Sequence, residues 1–261
     1  HLLQVAKKLA HDAGLIALDY QKKAFKIENK SNAFDLVTDA DKACEKLIID
    51  TVTKHFPDHS ILSEEAGEIN PGGEYKWIID PIDGTTNFAH GLPLFCISIG
   101  IVHQGKPIIG VVEIPALRES FHAQKDRGAF RNESRIFVSQ TSSMKTGLFA
   151  TGFPYERGDR YKKNMELWDA MYAQCHGVRR FGSAAIDLCY TACGRFDGYW
   201  EYGLKAWDIA AGKIILEEAG GTITNMDGSI LDPKKERLLA SNTILHSQML
   251  DFLRQHGADR V

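Results

Sequence analysis

Beyond about Thr141 the chain alternates between short apolar runs and longer segments of helical periodicity. That alternation narrows the fold more than any other feature. The strand-like run "GLFATGF" is followed by a helix around 165–175, then "GVRRFG", a helix over 184–193 and "DGYWEY". A helix over 207–219, the strands "GTITN" and "LLASN" and a final helix complete the series. Helices covering a sheet bury the apolar faces of such a series, so this half reads as an α/β layer.

The first half reads differently. Apolar residues from Leu2 to Tyr20 recur at helical spacing and predict a first helix with one apolar face. Thr38 followed by Asp41 fits a capping box opening a second helix, which Pro57 follows. "HSILSEE" reads as a strand ending in acid, and a polar loop through Pro71-Gly72-Gly73 leads to the strand "YKWII". "FCISIGIVHQGKPIIGVVEIP" reads as two apolar strands joined at Gln104-Gly105-Lys106, and "RESFHAQKDRGAF" continues the meander. There is no repeat and no long linker, so a pocket between two tightly packed halves is the expected site.

Composition excludes several classes. With 44% hydrophobic and 25% charged residues, the 261-residue chain can bury a real core as a globular protein. A net charge of −3 provides no general reason to bind nucleic acid or an anionic membrane. No run of about 20 apolar residues could span a bilayer. The start, "HLLQVAKKLAHDAG", is amphipathic rather than a signal peptide, and a first residue His1 suggests that a few native residues precede it. Five cysteines without a CxxC pair read as reduced, mostly buried thiols, which implies a cytoplasmic setting. "CYTAC" reads as one apolar helix face, and Lys22, Lys23, Lys26 and Lys30 as a solvated basic face.

The chemistry concentrates in "WIIDPIDGTTNF", Trp77 to Phe88. An apolar strand can carry a carboxylate to the lip of a sheet, where a ligand reaches it. Pro81 stiffens the turn that holds Asp80 and Asp83. Two carboxylates so close repel, and a divalent cation relieves that repulsion; hard oxygen donors suit Mg²⁺. The carbonyl of Ile82 is a further candidate ligand. Gly84-Thr85-Thr86-Asn87 then allows close backbone approach, and a helix opening there would present free N–H groups to a phosphate. A cation site beside a phosphate site is what metal-assisted phosphoester hydrolysis requires. A plain turn with an aspartate N-cap and a solvated Asp80 fits these dozen residues equally well. Glu64 and Glu65 end a strand, and Asp208 opens an apolar helix; a solvated loop charge and dipole compensation are the alternatives for Glu64 and Asp208.

"DPIDGTTNF" together with "WDIAAGKIILEEAGG" resembles the inositol monophosphatase family of Mg²⁺-dependent, Li⁺-sensitive phosphatases. "KSNAFDLVTDAD", "ILSEEAG", "GAFRN" and "RRFGSAAIDLCYTACGRFDGYWEYGLKAWD" extend the resemblance over nearly the whole chain. It implies a five-layer αβαβα sandwich. Residues 1–140 would form an α+β half carrying most metal ligands, and 141–261 an α/β half carrying Asp208 and the substrate wall. Glu64, Asp80, the Ile82 carbonyl, Asp83 and Asp208 would hold two to three Mg²⁺ ions. Thr85, hydrogen-bonded to Asp41, would act with Glu64 on the attacking water. Gly84 and Thr85 would bind the phosphate, with Asp83 and Asp208 beside it. Ser183, Ala184, Ala185 and Glu201 would line the substrate ring, and Lys30 and Glu65 would belong to a loop near the metals.

The resemblance further implies a small phosphate substrate and a homodimer. Arg179 and Arg180 could bind a phosphate or an acidic partner; the resemblance puts them near the subunit interface, with a solvated strand charge as the alternative. Myo-inositol monophosphates lead as substrates; fructose 1,6-bisphosphate, 3′-phosphoadenosine phosphate and histidinol phosphate are the variants. An additional role as a transcription-machinery partner is the reading from another class. His90 is read as a surface or packing residue, and Trp200 and Trp207 as core.

Overall fold

The computed structural model describes residues 1–30 and 35–260. The first part comprises α1 (Leu2–Gln21), β1 (Ile27–Asn29), β2 (Leu36–Thr38), α2 (Asp39–His55), β3 (Ser60–Ser63), β4 (Gly67–Ile69), β5 (Tyr75–Asp83) and α3 (Thr85–Ala89). The meander follows as β6 (Cys96–His103), β7 (Lys106–Ile114), β8 (Glu119–Gln124), β9 (Ala129–Arg131) and β10 (Ser134–Ile136). Then come β11 (Leu148–Thr151), α4 (Asp159–Tyr172), β12 (Gly177–Arg179), α5 (Ala184–Ala192), β13 (Gly198–Tyr202) and α6 (Ala206–Glu218). β14 (Gly221–Asn225), β15 (Arg237–Asn242) and α7 (His246–Gln255) close the chain.

Two large sheets organise these elements. The eight-stranded sheet runs β10-β9-β8-β7-β6-β5-β3-β4, and the five-stranded sheet runs β12-β11-β13-β15-β14. The first sheet is not purely antiparallel, because β3 pairs parallel to β5. In the second, β11 runs parallel to both β12 and β13, while β15 is antiparallel to its neighbours. Three apolar cores glue five layers. Ala6, Leu9, Cys44 and Ile48 of α1 and α2 pack on Trp77, Ile79, Ile99 and Val111. The opposite face of that sheet, with Val112, Ile114 and Phe121, meets Ile186, Leu188, Ile214 and Ile215 of α5 and α6, which also cover Tyr199 and Ala240 of the second sheet. Leu167, Met171, Met249 and Phe252 of α4 and α7 cover its far face over Phe149, Trp200 and Leu239. Each Val, Leu, Ile, Phe or Met side chain fully buried there contributes roughly 1.5–3 kcal/mol. The αβαβα sandwich is therefore the observed architecture.

One packing detail positions the site. Gly100 on β6 pairs with Ile78 of β5 and with Gly110 of β7. A Cβ at Gly100 would stand 2.7 Å from Ala210 Cβ, and one at Gly110 would stand 2.4 Å from the Ala211 carbonyl oxygen. The two glycines let α6 lie directly on the sheet, and this close approach carries Asp208, in the first turn of α6, towards the end of β5.

Several boundaries differ from the sequence reading. β5 continues through Asp83 instead of stopping at Ile79, because Asp80 and Asp83 still pair with Ser98 and Cys96 across a register shift. Pro81, which lacks a donor, is tolerated at that irregularity. The predicted polar loop after Glu65 contains β4, which pairs with β3 as an edge strand. α4 starts at Asp159, ahead of the apolar periodicity. Trp200 is fully buried and donates to Asn164, as a core residue should. The cysteines are free, with Cys44, Cys96 and Cys189 buried. Among the described residues no helix is long and apolar enough to cross a membrane.

Candidate active site

The site begins with the capping box read from the sequence. Thr38 caps α2, and Asp41 Oδ2 accepts from the Thr38 N–H at 2.8 Å and its hydroxyl at 2.6 Å. The other Asp41 oxygen faces Thr85, whose hydroxyl lies 3.4 Å away and also donates to the Ile82 carbonyl at 3.0 Å. Asp41 is fully buried, and burial raises its pKa to about 6 against the pull of the Thr38 hydrogen bonds. One local motif thus joins the start of α2 to the start of α3.

Asp80 and Asp83 stand at the end of β5, as the apolar run predicted. Asp83 Oδ2 accepts from the Ser183 hydroxyl and from the Ala185 N–H, each at 2.7 Å. Both donors belong to the opening of α5, so Asp83 ties the first half of the chain to the second. Asp80 is bonded by the Ile82 N–H at 3.1 Å. Burial pushes the Asp80 carboxyl well up, and the charges of Glu64, Asp83 and Asp208 push it further. Burial likewise raises Asp83, opposed by its Ser183 and Ala185 bonds, and raises Asp208, with Asp83 adding to the effect. Asp208 accepts from the Lys205 N–H at 2.5 Å, so it closes the first turn of α6 as well as facing the cleft. The four acids therefore sense one another across two halves of the chain.

Glu64 follows β3, with its N–H bonded to the Ile79 carbonyl. It is no solvated loop charge. Lys30 Nζ lies 2.7 Å from Glu64 and also pairs with Glu65. Burial opposes the charge on Lys30, yet the two glutamates outweigh it and raise the lysine pKa. The solvated-face reading of Lys30 is thus corrected: Lys22, Lys23 and Lys26 are exposed, whereas the Lys30 side chain is only 18% exposed. The reason is local acid density, which offers the ammonium two carboxylates at once.

Ser183, Ala184, Glu201, Asp83 and Asp208 line one small cleft of about 90 Å³. Ala185 contributes only its N–H, to Asp83. Glu201 receives a hydrogen bond from the Tyr199 hydroxyl, and burial raises its pKa to about 7. Gly84 is the N-cap of α3, a five-residue helix whose first N–H groups lie beside Asp83 in sequence. Sequence reasoning missed Tyr155 and, as a cleft residue, Arg180, which line the same space. It also missed Asp187, fully buried on α5, whose two carboxylate oxygens have no hydrogen-bond partner among the described residues. No periodicity marks these three. The Arg179 guanidinium donates to the carbonyl of its neighbour Val178, and His90 is exposed.

Among the described residues no three histidine, cysteine or acidic side chains stand close enough to make a finished coordination sphere. The donor chemistry still suits a hard cation. Asp80 and Asp83 are buried carboxylates and Asp208 is a half-buried one, and no basic side chain among the described residues pairs with any of them. Uncompensated acids in such a place are costly unless a cation neutralises them.

The class so defined is a layered α/β protein with an acid-lined cleft beside a short helix. Comparison with known proteins is more specific. Residues 1–258 match the Inositol monophosphatase family. The chain is 42% identical over 252 residues to the inositol-1-monophosphatase of Synechocystis sp., covering 96% of this chain and 88% of that one. It is 38% identical over 261 residues to the Nus factor SuhB of Pseudomonas aeruginosa, covering 98% and 96% of the two chains. The solved inositol monophosphatase of Anabaena (Nostoc) sp. superposes with a TM-score of 0.87 at 41% identity, covering 97% and 95%. This chain belongs to the inositol monophosphatase family. It is a phosphatase.

Proposed function

We propose that the protein hydrolyses myo-inositol monophosphates, and other small phosphate monoesters, to the alcohol and inorganic phosphate with Mg²⁺ as cofactor. The observation that carries this reading is the set of carboxylates Asp80, Asp83 and Asp208, unpaired with any described cation: Asp80 and Asp83 are buried, Asp208 is half-buried, and Asp83 and Asp208 line the Ser183–Glu201 cleft. Glu64, Asp80, Asp83, Asp208 and the Ile82 carbonyl would hold two to three ions. Magnesium bound there supplies charge neutralisation for the phosphoryl group and a lowered pKa for water.

The chain's own groups do the rest. Gly84 and Thr85 present backbone N–H groups to the phosphate oxygens. Thr85 is held by Ile82 and Asp41, so its hydroxyl has a fixed place beside the attacking water. Glu64 acts with Thr85 on that water and takes up its proton. Asp83 and Asp208 flank the phosphate, while Ser183, Ala184, Ala185 and Glu201 orient the hydroxyl-bearing ring. Lys30 and Glu65 border the metal-binding side. Positioning and electrostatics are most of what phosphoryl transfer requires.

The test is phosphate release from inositol 1-phosphate with and without Mg²⁺, with fructose 1,6-bisphosphate as competitor. Turnover that needs Mg²⁺ supports the reading, and turnover indifferent to EDTA overturns it. We also take the protein to be a lithium-sensitive, cytoplasmic homodimer. A second reading rests on the Nus factor name that several relatives carry: a transcription-machinery contact made by the surface, alongside catalysis. Pull-down of RNA polymerase with its elongation factors should then persist when Asp83 is replaced, and no binding at micromolar concentration removes the idea.

A further inference from the structure

Only Gly203, Leu204 and Lys205 separate the end of β13 from the start of α6. This short link joins two sides of the cleft. Glu201 stands just before it on β13, and Asp208 just after it in the first turn of α6. Whatever holds the link therefore sets where both carboxylates stand. Gly203, at φ +84°, brings no side chain of its own to fix the turn.

Glu236, immediately before β15, holds the link from outside the cleft. Its carbonyl accepts the Gly203 N–H at 2.8 Å. One of its carboxylate oxygens accepts from the Lys205 ammonium. The other accepts from Arg160, in the first turn of α4, at 2.5 Å. Lys205 in turn donates its backbone N–H to Asp208 Oδ2 at 2.5 Å. Contacts thus run without a gap from Arg160 through Glu236 and Lys205 to Asp208. The base of this chain is itself tied down. The Tyr202 hydroxyl donates to the Ala258 carbonyl at 2.7 Å, and Arg237 donates to the Asp259 carbonyl at 2.5 Å. Between the two ends of the link, Leu204 is buried in the central core.

An aspartate whose one oxygen is fixed by a backbone N–H keeps its other oxygen in a constant direction, provided that the N–H itself does not move. Glu236 immobilises the residue that carries that N–H. It does so at a distance from the acids, on the wall of a separate open cavity of about 710 Å³.

We propose that Glu236 is a positioning residue: it acts through Lys205 on Asp208 and sets the affinity of the cleft for Mg²⁺ while touching neither ion nor substrate. The inference rests on the reading of Asp208 as a metal ligand. The Lys205 side chain is 51% exposed and that of Glu236 25%, so solvent weakens the clamp. The expected effect is therefore about tenfold in metal affinity, the lower end of what loss of a ligand's outer partner costs.

The test compares wild type, Glu236→Gln and Lys205→Met by calorimetric titration with Mg²⁺ after EDTA treatment and dialysis. Both variants should bind Mg²⁺ about tenfold more weakly, although one removes a negative charge and the other a positive one. The double variant should bind no more weakly than either single one, because the two residues act in series. Glu236→Asp should recover part of the affinity. Phosphate release from inositol 1-phosphate by Glu236→Gln should need about tenfold more Mg²⁺ for half its maximal rate, with kcat at saturating Mg²⁺ within about twofold of wild type. The melting temperature in EDTA should fall by no more than about 4 °C, as for the loss of part-exposed ion pairs.

Wild-type Mg²⁺ affinity in Glu236→Gln overturns the proposal. So do shifts of opposite sign in the two single variants, which would report only the net charge near the cleft. A lowered melting temperature in EDTA with unaltered Mg²⁺ affinity makes the clamp purely structural and refutes it as well. If the wild type itself binds no Mg²⁺, the metal reading of the acids fails and takes this inference with it, an outcome distinct from wild-type binding that the variants leave untouched.

Discussion

Replacing Asp41 by asparagine should stabilise the metal-free protein at neutral pH. Asp41 has no exposed surface, so solvent does not screen its charge. Burial raises its pKa from 3.8 to about 6, after the opposing pull of Thr38 and Lys30. The folded protein therefore holds this proton more tightly than the unfolded chain does. Stability from that proton is complete below about pH 4 and is lost as pH rises through about 6. The full loss is about 3 kcal/mol, at 1.36 kcal/mol for each tenfold change in proton affinity. Asparagine mimics the protonated acid. Its oxygen can accept both Thr38 bonds, and its amide can face the Thr85 hydroxyl, which still donates to Ile82. Urea unfolding in EDTA, at about pH 4.5 and about pH 7.5, compares the two proteins across the window. The advantage of Asp41→Asn should be about 2 kcal/mol or more larger at the higher pH. An unchanged difference, or an Asp41→Asn protein that loses ground at pH 7.5, refutes the account of the buried charge.

Other outcomes test the rest of the site. Asp83→Asn should lower kcat by at least about 100-fold at saturating Mg²⁺, more than loss of a residue behind a metal ligand costs, with the far-ultraviolet circular dichroism unchanged. Near-wild-type turnover would sink the assignment. Gly152→Ala would put a Cβ 2.1 Å from both Glu201 carboxylate oxygens, so Glu201 must swing out of the cleft. KM for inositol 1-phosphate should rise about tenfold, the scale of one hydrogen bond to a charged group, and an unaltered KM argues that Glu201 does not contact the ring. Lys30→Ala leaves Glu64 and Glu65 without their cation, which should cost about 3 kcal/mol in EDTA. Mg²⁺ at 100 times its dissociation constant should add about 2.7 kcal/mol to either protein, and a melting temperature indifferent to Mg²⁺ contradicts the metal site.

The helices were legible because their signals are local. Thr38 and Asp41 lie three residues apart and answer each other within one turn, so the cap could be read before the fold was known. The Gln104-Gly105 hairpin and the apolar approach to Asp80 are local in the same sense. The extension of β5 through Pro81 was not, because it depends on Ser98 and Cys96 in a different strand. Lys30 looked like one of several surface lysines, since its two partners lie more than thirty residues away.

Chain order alone thus determined most of the helices and long strands, where paired aspartates end an apolar run, and which family the motifs resemble. The tertiary structure alone decided which charges face one another. Gly100 and Gly110 admit α6 onto the sheet, and that contact, invisible to any window of sequence, delivers Asp208 to Asp80 and Asp83. Gly182 likewise leaves free the space that the Arg180 guanidinium takes. Periodicity reports how a segment meets its own neighbours, whereas electrostatics acts through space and acquires meaning only when remote segments are packed together.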